Sequence, residues 1–162
     1  MRTPVCELLG IEQPIALAAM VAVPELAAAV SNAGALGTVT LTWSDPAGDV
    51  VRETAALTDR PFCGNLVLTS DQHRRLDEAL EAGLRIVSLF LGDPAGYTEL
   101  VHEAGGLVLC TVGSAEEARR AVGSGADVIV AQAWEKKGRS AERWRTTAVS
   151  YGRSDSYPHA CE

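Results

Sequence analysis

The feature that most constrains the fold is a regular alternation of short apolar runs with Ala-, Glu- and Arg-rich segments, several of which end in glycine. Glycine is typical after a helix, because it adopts the left-handed conformation at the helix end at little cost. The pattern predicts strands at 14–20, 36–41, 61–68, 85–91, 106–112 and 126–132, and helices near 24–33, 46–57, 71–82, 97–104 and 114–123. The predicted fold class is therefore α/β, with about six βα units.

The type of sheet follows from the composition of the strands. The runs 85–91 and 127–130 are almost continuously apolar, which is typical of parallel strands covered on both faces. Alternating strands and helices form either an open doubly wound sheet or a barrel, and periodicity does not choose between them. The turn at 20–24 lacks the G-x-G-x-x-G pattern, so the dinucleotide-binding version of the open sheet is the weaker alternative.

Several polar residues have a local structural interpretation. Ser114 and Glu117 have the spacing of a capping box, in which the hydroxyl accepts from a first-turn N–H and the carboxylate reaches back. Glu116 beside Glu117 suits the helix dipole and is not interpreted as a catalytic dyad. His73 and His102 fall within predicted helices, where we expect surface or packing roles.

The charge balance argues against nucleic acid as a partner. Fourteen Lys and Arg against 21 Asp and Glu give a net charge of −7. No basic stripe with interleaved aromatic residues precedes the C-terminal segment, so binding to a phosphate backbone has little electrostatic support.

Cysteine spacing and the apolar runs bear on metals and location. The four cysteines are widely scattered, at Cys6, Cys63, Cys110 and Cys161. Without a C-x-x-C pair, neither a metal site nor a redox dithiol is predicted, and a reducing cytoplasm fits best. The run Ile15–Val23 is far shorter than the ~20 residues of a membrane helix. It is predicted to be a buried strand, and no membrane association is expected.

The composition changes after Glu135. A basic stretch, 136–140, is followed by Ser, Thr, Tyr and Arg residues without an apolar period of either kind. The predicted domain therefore covers 1–135, and 136–162 is predicted to be an aberrant, largely disordered tail.

Five segments together resemble the nitronate monooxygenase family, formerly called 2-nitropropane dioxygenases, and the related FMN-dependent enoyl-ACP reductase. They are Pro14–Met20, Pro24–Gly37, Thr58–Leu66, Val112–Ala118 and Gly125–Gln132. The resemblance implies a (β/α)₈ barrel of the TIM-barrel type that binds FMN. Here the barrel is expected to be incomplete, because nothing after Glu135 resembles the seventh and eighth strands that hold the FMN phosphate.

The resemblance also implies cofactor contacts at the C-terminal ends of the strands, where barrel sites lie. Ala18 and Met20 match a family Ala-Pro-Met motif whose backbone lies against the flavin ring, although Ala19 replaces the proline. The amides of Asn65 and Gln132 match flavin-contacting positions. Structural alternatives are that Met20 fills the core, that Asn65 bonds to neighbouring backbone, and that Gln132 is an ordinary polar residue at a strand end.

No catalytic residue is assigned, because Arg139 stands where the family has its histidine base. A guanidinium stays protonated and cannot accept a proton. The leading hypothesis is an FMN-dependent oxidoreductase that oxidises alkyl nitronates with O₂, truncated and without turnover in this form. The alternatives are part of an FMN-dependent enoyl-ACP reductase, or a non-catalytic fragment that self-associates through its open barrel edges.

Overall fold

The computed structural model describes residues 3–43, 46–135 and 143–151. The helices within these ranges are α1 (Pro4–Leu9), α2 (Pro24–Asn32), α3 (Ala47–Leu57), α4 (His73–Glu81), α5 (Ala95–Glu103) and α6 (Ala115–Gly123). The strands are β1 (Gly37–Thr40), β2 (Phe62–Val67), β3 (Ile86–Phe90), β4 (Leu107–Val112), β5 (Val128–Glu135) and β6 (Arg143–Tyr151). The predicted helices and the later strands are thus found within a few residues of their expected bounds.

The sheet has the strand order of a barrel. Strands β1 to β5 lie side by side in chain order, and each neighbouring pair is parallel. A helix joins each of these strands to the next. A doubly wound sheet reverses its strand order at a switch point, and this sheet does not. The described residues therefore form part of a (β/α) barrel, which confirms the predicted fold class.

Alternation along each strand separates two apolar clusters. The outward residues pack beneath the helices, and they include Val39, Leu66, Val87 and Val108. The inward residues at the strand starts form the second cluster, which includes Leu36, Cys63, Ile86, Leu109 and Val128. Helix α1, which the sequence did not predict, contributes Cys6 and Leu9 to this inner cluster. The interior is therefore filled at the N-terminal end of the strands, and polar side chains follow towards the other end.

The predicted strand at 14–20 is not formed, and the expectation that it is buried is wrong. Its strand contact is a single parallel bridge between Ala16 and Leu36. The side chains of Ile15 and Met20 are 61% and 78% exposed. The physical reason is that β1 adjoins one side of this segment and no described strand adjoins the other. Backbone groups on that outer side therefore have no ladder partner among the described strands.

Strand β6 lies within the segment for which the sequence predicts no regular structure. It pairs antiparallel with β5, with Tyr151 opposite Val128 and Arg143 opposite Glu135. Its Thr, Val and Tyr residues have high strand propensity, and β5 offers an edge that one more strand can pair with. The strand at 143–151 differs from the expectation of a largely disordered tail. Residues 136–142 and 152–162 lie outside the described residues.

The start of α6 confirms the predicted capping interaction. Ser114 Oγ accepts a hydrogen bond from the Glu117 N–H at 3.2 Å. The Glu117 carboxylate reaches back to the N–H of Gly113 at 2.7 Å. One first-turn N–H is thereby satisfied, and so is the N–H of the residue before the N-cap, one position earlier than in the usual capping box.

Two glycines provide a matched test of the packing between α2 and β1. A Cβ on Gly37 would lie 1.9 Å from the Ala27 carbonyl oxygen, whereas a Cβ on Gly123 would meet nothing within 4 Å. We expect Gly37→Ala to destabilise the fold by about 3 kcal/mol, because backbone must move. Gly123→Ala should stabilise it by about 0.5–1 kcal/mol, since alanine favours the helix. Urea denaturation measures both; equal midpoints for the two variants would contradict this packing.

Candidate functional site

A row of polar side chains crosses the inward face of three neighbouring strands. Thr40 of β1 is in register with Asn65 of β2, and Asn65 is in register with Ser88 of β3. They share the face of the buried residue Cys63 because side chains alternate along a strand. The row lies above the inner apolar cluster, towards the C-terminal ends of the strands, where barrel enzymes place their sites.

Asn65 of this row is buried and hydrogen-bonded to its neighbours on both sides. Its side chain is 7% exposed, and its Nδ2 donates to both the carbonyl oxygen and Oγ of Ser88, each at 3.3 Å. The Asn65 carbonyl oxygen accepts from the Leu41 N–H at 2.8 Å. These bonds match the expected structural role, that Asn65 bonds to neighbouring backbone, but they use only the amino half of the side chain.

A cavity of about 610 Å³ opens at the C-terminal ends of β3, β4 and β5, a size typical of small-molecule sites. Gln132 lines it with Phe90 and Thr111, and Arg120 and Glu117 of α6 also line it. Much of the remaining lining is apolar, including Leu68, Leu89, Cys110, Val112 and Ala121. The cavity can therefore hold a largely apolar ring with a few polar groups at its edge.

The turn after β3 forms one wall of this cavity under backbone strain. Leu91 has a φ of 54°, alone among described non-glycine residues in being positive, and Gly92 follows at 118°. A Cβ on Gly92 would lie 2.6 Å from the Leu68 carbonyl oxygen. Such strain is concentrated at functional sites because surrounding contacts must enforce it. Here the strained turn lies where the ends of β2 and β3 meet beside the cavity.

Ala18 and Met20 lie elsewhere, on the exposed segment beside β1. The Val21 carbonyl oxygen accepts from the Thr40 N–H at 3.3 Å, so Met20 is close to the C-terminal end of β1. The structure thus brings Asn65 to the inward face and Gln132 to the cavity, but Ala18, Met20 and Asn65 do not line that cavity. The two faces of the sheet explain this separation, because the cavity-lining residues Leu89, Cys110 and Val112 face the helices, whereas Asn65 faces inward.

Two of the three histidines lie in the described residues, and neither lines the cavity. His73 stacks on Tyr97 with ring centroids 4.2 Å apart and lies 2.5 Å from the Asp71 carboxylate, measured from Nδ1. Hydrogen bonds from His73 lower the pKa of Asp71. His102 Nε2 lies 2.9 Å from Asp127. His159 lies outside the described residues, as does Arg139.

The sequence analysis missed two members of this region. Ser88 was treated only as part of an apolar strand, although a lone polar residue in such a run has to find a partner. Arg120 has no distinguishing signal in the sequence, although it lines the cavity. Strand register would have identified Ser88, because it places this residue beside Asn65.

Among the described residues, no group of three or more His, Cys, Asp or Glu side chains is placed to hold a metal ion. No helix there is both long enough and apolar enough to cross a membrane.

The described residues form part of a βα barrel with a cavity at its strand ends, and several known proteins resemble this chain. The nitronate monooxygenase family model matches residues 2–74. A nitronate monooxygenase of Pseudomonas aeruginosa is 52% identical over 63 residues, covering 36% of this chain and 18% of the relative. These findings confirm the relationship to the nitronate monooxygenase family of flavin-dependent oxidoreductases.

Longer matches extend through most of the described barrel. The (3aS,4S,5R,7aS)-5-hydroxy-7a-methyl-1-oxo-octahydro-1H-indene-4-carboxyl-CoA dehydrogenase of Mycobacterium tuberculosis is 33% identical over 144 residues, covering 85% of this chain and 40% of the relative. The structure of FabK from Thermotoga maritima has a TM-score of 0.77 at 34% identity, covering 81% of this chain and 44% of FabK. The chain thus spans about two fifths of the length of these proteins.

The buried thiols should be unreactive at neutral pH. Burial raises the pKa of Cys63 from its ordinary value of 9.0 to about 12. Burial and the nearby Asp127 carboxylate raise the pKa of Cys110 to about 12. We expect both thiols to resist a disulfide reagent at pH 8 until urea unfolds the chain, because the thiolate is the reactive form. Mapping the labelled peptides checks this; rapid labelling of either thiol in the folded chain would contradict it.

The same shifts predict a pH dependence of stability. A raised folded-state pKa means that the folded state favours the protonated thiol. The stabilisation is therefore complete below pH 9 and is lost as the pH rises towards 12. Urea midpoints measured from pH 8 to 11 should fall less steeply for the Cys110→Ala variant than for the parent chain.

Proposed function

We propose that this chain carries the ring-binding part of an FMN-dependent oxidoreductase, and that the whole protein oxidises alkyl nitronates with O₂. The observation that carries the proposal is Asn65, a buried amide on the inward face of a family barrel with one polar end unused. Its Oδ1 has no hydrogen bond from the described residues and is not fully enclosed, so it can accept a hydrogen bond from a ligand. The family match over residues 2–74 supports a flavin as that ligand.

The residues present fit a flavin ring. One edge of an isoalloxazine ring alternates N–H and carbonyl groups, and side-chain amides can pair with both. Asn65 and Gln132 are the amides proposed to contact the ring. Met20 and Ala18 would place backbone against it from the first segment of the barrel, as in the resemblance described above.

Bound FMN would supply the electron-accepting chemistry, which the protein supports by binding and orientation. The described residues also bear on the choice of substrate. Neither His73 nor His102 lines the cavity, so an imidazole from the described part of the chain does not serve as a base there. A neutral nitroalkane needs a base to remove its proton, whereas a nitronate has already lost that proton. We therefore propose the nitronate as the small-molecule partner, in a cytoplasmic enzyme.

A second candidate reaction follows from the longer matches. The M. tuberculosis relative is named as a dehydrogenase of a CoA thioester, and it matches 85% of this chain. FabK is similar over 81% of this chain. A thioester substrate is therefore the alternative for the whole protein. Two assays of the whole protein separate these reactions. O₂ consumption with an alkyl nitronate would support nitronate oxidation, and nicotinamide oxidation with an enoyl thioester would support the thioester alternative.

The non-catalytic alternative also has a structural basis. The segment beside β1 presents Ile15, Met20 and Val21 as exposed apolar side chains. Backbone groups on its outer side are unpaired by any described strand, and such edges favour association between copies. Sedimentation tests this: a concentration-dependent dimer that binds no flavin would favour the interaction role over the oxidoreductase.

Flavin binding by this chain tests the proposal directly. We expect FMN fluorescence to be quenched on titration, and Asn65→Ala and Gln132→Ala each to raise the dissociation constant about three- to tenfold, the value of one hydrogen bond. Asn32→Ala is the matched control, because Asn32 donates to the Leu57 carbonyl oxygen on the outer surface. Circular dichroism verifies that each variant is folded. If Asn32→Ala weakened FMN binding as much as Asn65→Ala does, the assignment of Asn65 would be contradicted.

A further inference from the structure

Strand β6 covers the edge of β5 in a different way from the other strand pairs of the sheet. Each of β1 to β4 reaches the next strand through a helix, and these pairs are parallel. Only residues 136–142 separate β6 from β5, which is fewer than the dozen or so that a parallel return needs. The short connection therefore permits only the antiparallel pairing that is observed. While β6 lies there, no other strand can pair with the same edge of β5.

The register of the sheet identifies backbone groups of β5 that β6 covers. The Leu107 N–H donates to the Arg85 carbonyl oxygen, towards β3. Successive residues of a strand direct their N–H and C=O groups to alternate sides, so those of Cys110 face β5. Ile129 lies opposite Cys110 in this parallel pair, so its own groups face the other side, towards β6. Ser150 lies directly opposite Ile129 there.

The other edge of the sheet, the segment at 14–20, is paired on one side only among the described residues. The Leu36 N–H donates to the Ile15 carbonyl oxygen, and the Leu17 N–H donates to the Leu36 carbonyl oxygen. The backbone groups of Ala16, between them, therefore face away from β1. The segment is parallel to β1 where the two meet, and Ile15 is an exposed apolar residue on it. This edge has the strand direction that a parallel partner of β5 needs.

We propose that β6 is an edge guard, which prevents the β5 edge of one copy of this chain from pairing with the segment at 14–20 of a second copy. Such a contact would continue both parallel sheets without reversing the direction of a strand. It would join two different surfaces and leave a free edge at each end, so copies would add one after another unless a ring closed. Uncovered sheet edges favour association in general, and β6 removes one of the two edges that this contact requires.

Two neighbouring proline substitutions in β6 form a matched pair. Ser150→Pro removes the N–H that faces Ile129, whereas Val149→Pro removes an N–H that faces away from β5. Proline is tolerated on an edge strand where the missing N–H would face solvent. In Ser150→Pro we expect the amide hydrogen of Ile129 to exchange about tenfold faster or more, and sedimentation to show association that grows with concentration. The parent chain and Val149→Pro should remain monomeric.

A second substitution tests the partner surface. In the Ser150→Pro background, Ile15→Lys places a charge on the segment at 14–20 and should restore the monomer, because a charged edge opposes pairing. Val122→Lys is the matched control, since Val122 is an exposed apolar residue of α6, and it should leave the association unchanged. Faster exchange at Ile129 without association, or association that Ile15→Lys does not reverse, overturns the inference.

Circular dichroism verifies that each variant is folded. If Ser150→Pro does not fold, Ser150→Gly replaces it, because glycine keeps the N–H but weakens a strand; the same two changes are then expected at a smaller size. A folded variant in which neither quantity changes overturns the inference, and so does a parent chain that associates while its Ile129 amide is protected. No flavin takes part in these measurements, so their outcome is independent of the proposed function.

Discussion

The parallel register of β1 to β5 is the constraint on which the rest of this structure depends. Because side chains alternate along each strand, register decides which residues face the helices and which face the interior. A shift of one residue would place Asn65 among the helices and Leu66 in the interior. The close approach of α2 to β1, at Gly37, fixes one edge of this arrangement. The site therefore depends on strand pairing before it depends on any single polar contact.

The barrel interior has an apolar end, which is packed, and a polar end, which carries the candidate site. Helix α1 closes the end at the strand starts with Cys6 and Leu9. The other end has Asn65 and Ser88, and beyond them the cavity at the ends of β3 to β5. Stability and binding are thus located at opposite ends of the same strands, as in barrel enzymes generally. This division allows the site to carry a strained turn at Leu91 without disturbing the packed end.

The sheet has one edge that a described strand covers and one that no described strand covers. Strand β6 pairs with β5 in the antiparallel sense, although every other pair is parallel. The segment at 14–20 has only its bridge to β1, and its apolar side chains are exposed. Parallel strands that read as continuous apolar runs are covered on both faces, and the exposed side chains of this segment show that it is not. The matched relatives are more than twice as long as this chain, so the proposed activity concerns the whole protein.

The sequence by itself determined the α/β class, the order and bounds of most elements, the capping of α6 by Ser114, and the family relationship. These are local properties, set by periodicity, helix-end chemistry and short motifs. Only the tertiary structure decided that 14–20 remains exposed, that 143–151 forms a strand, and that Ser88 holds the amide of Asn65. Each of these depends on which segments become neighbours. Strand pairing brings together residues that are distant in the chain, and no local pattern encodes the hydrogen bonds that follow.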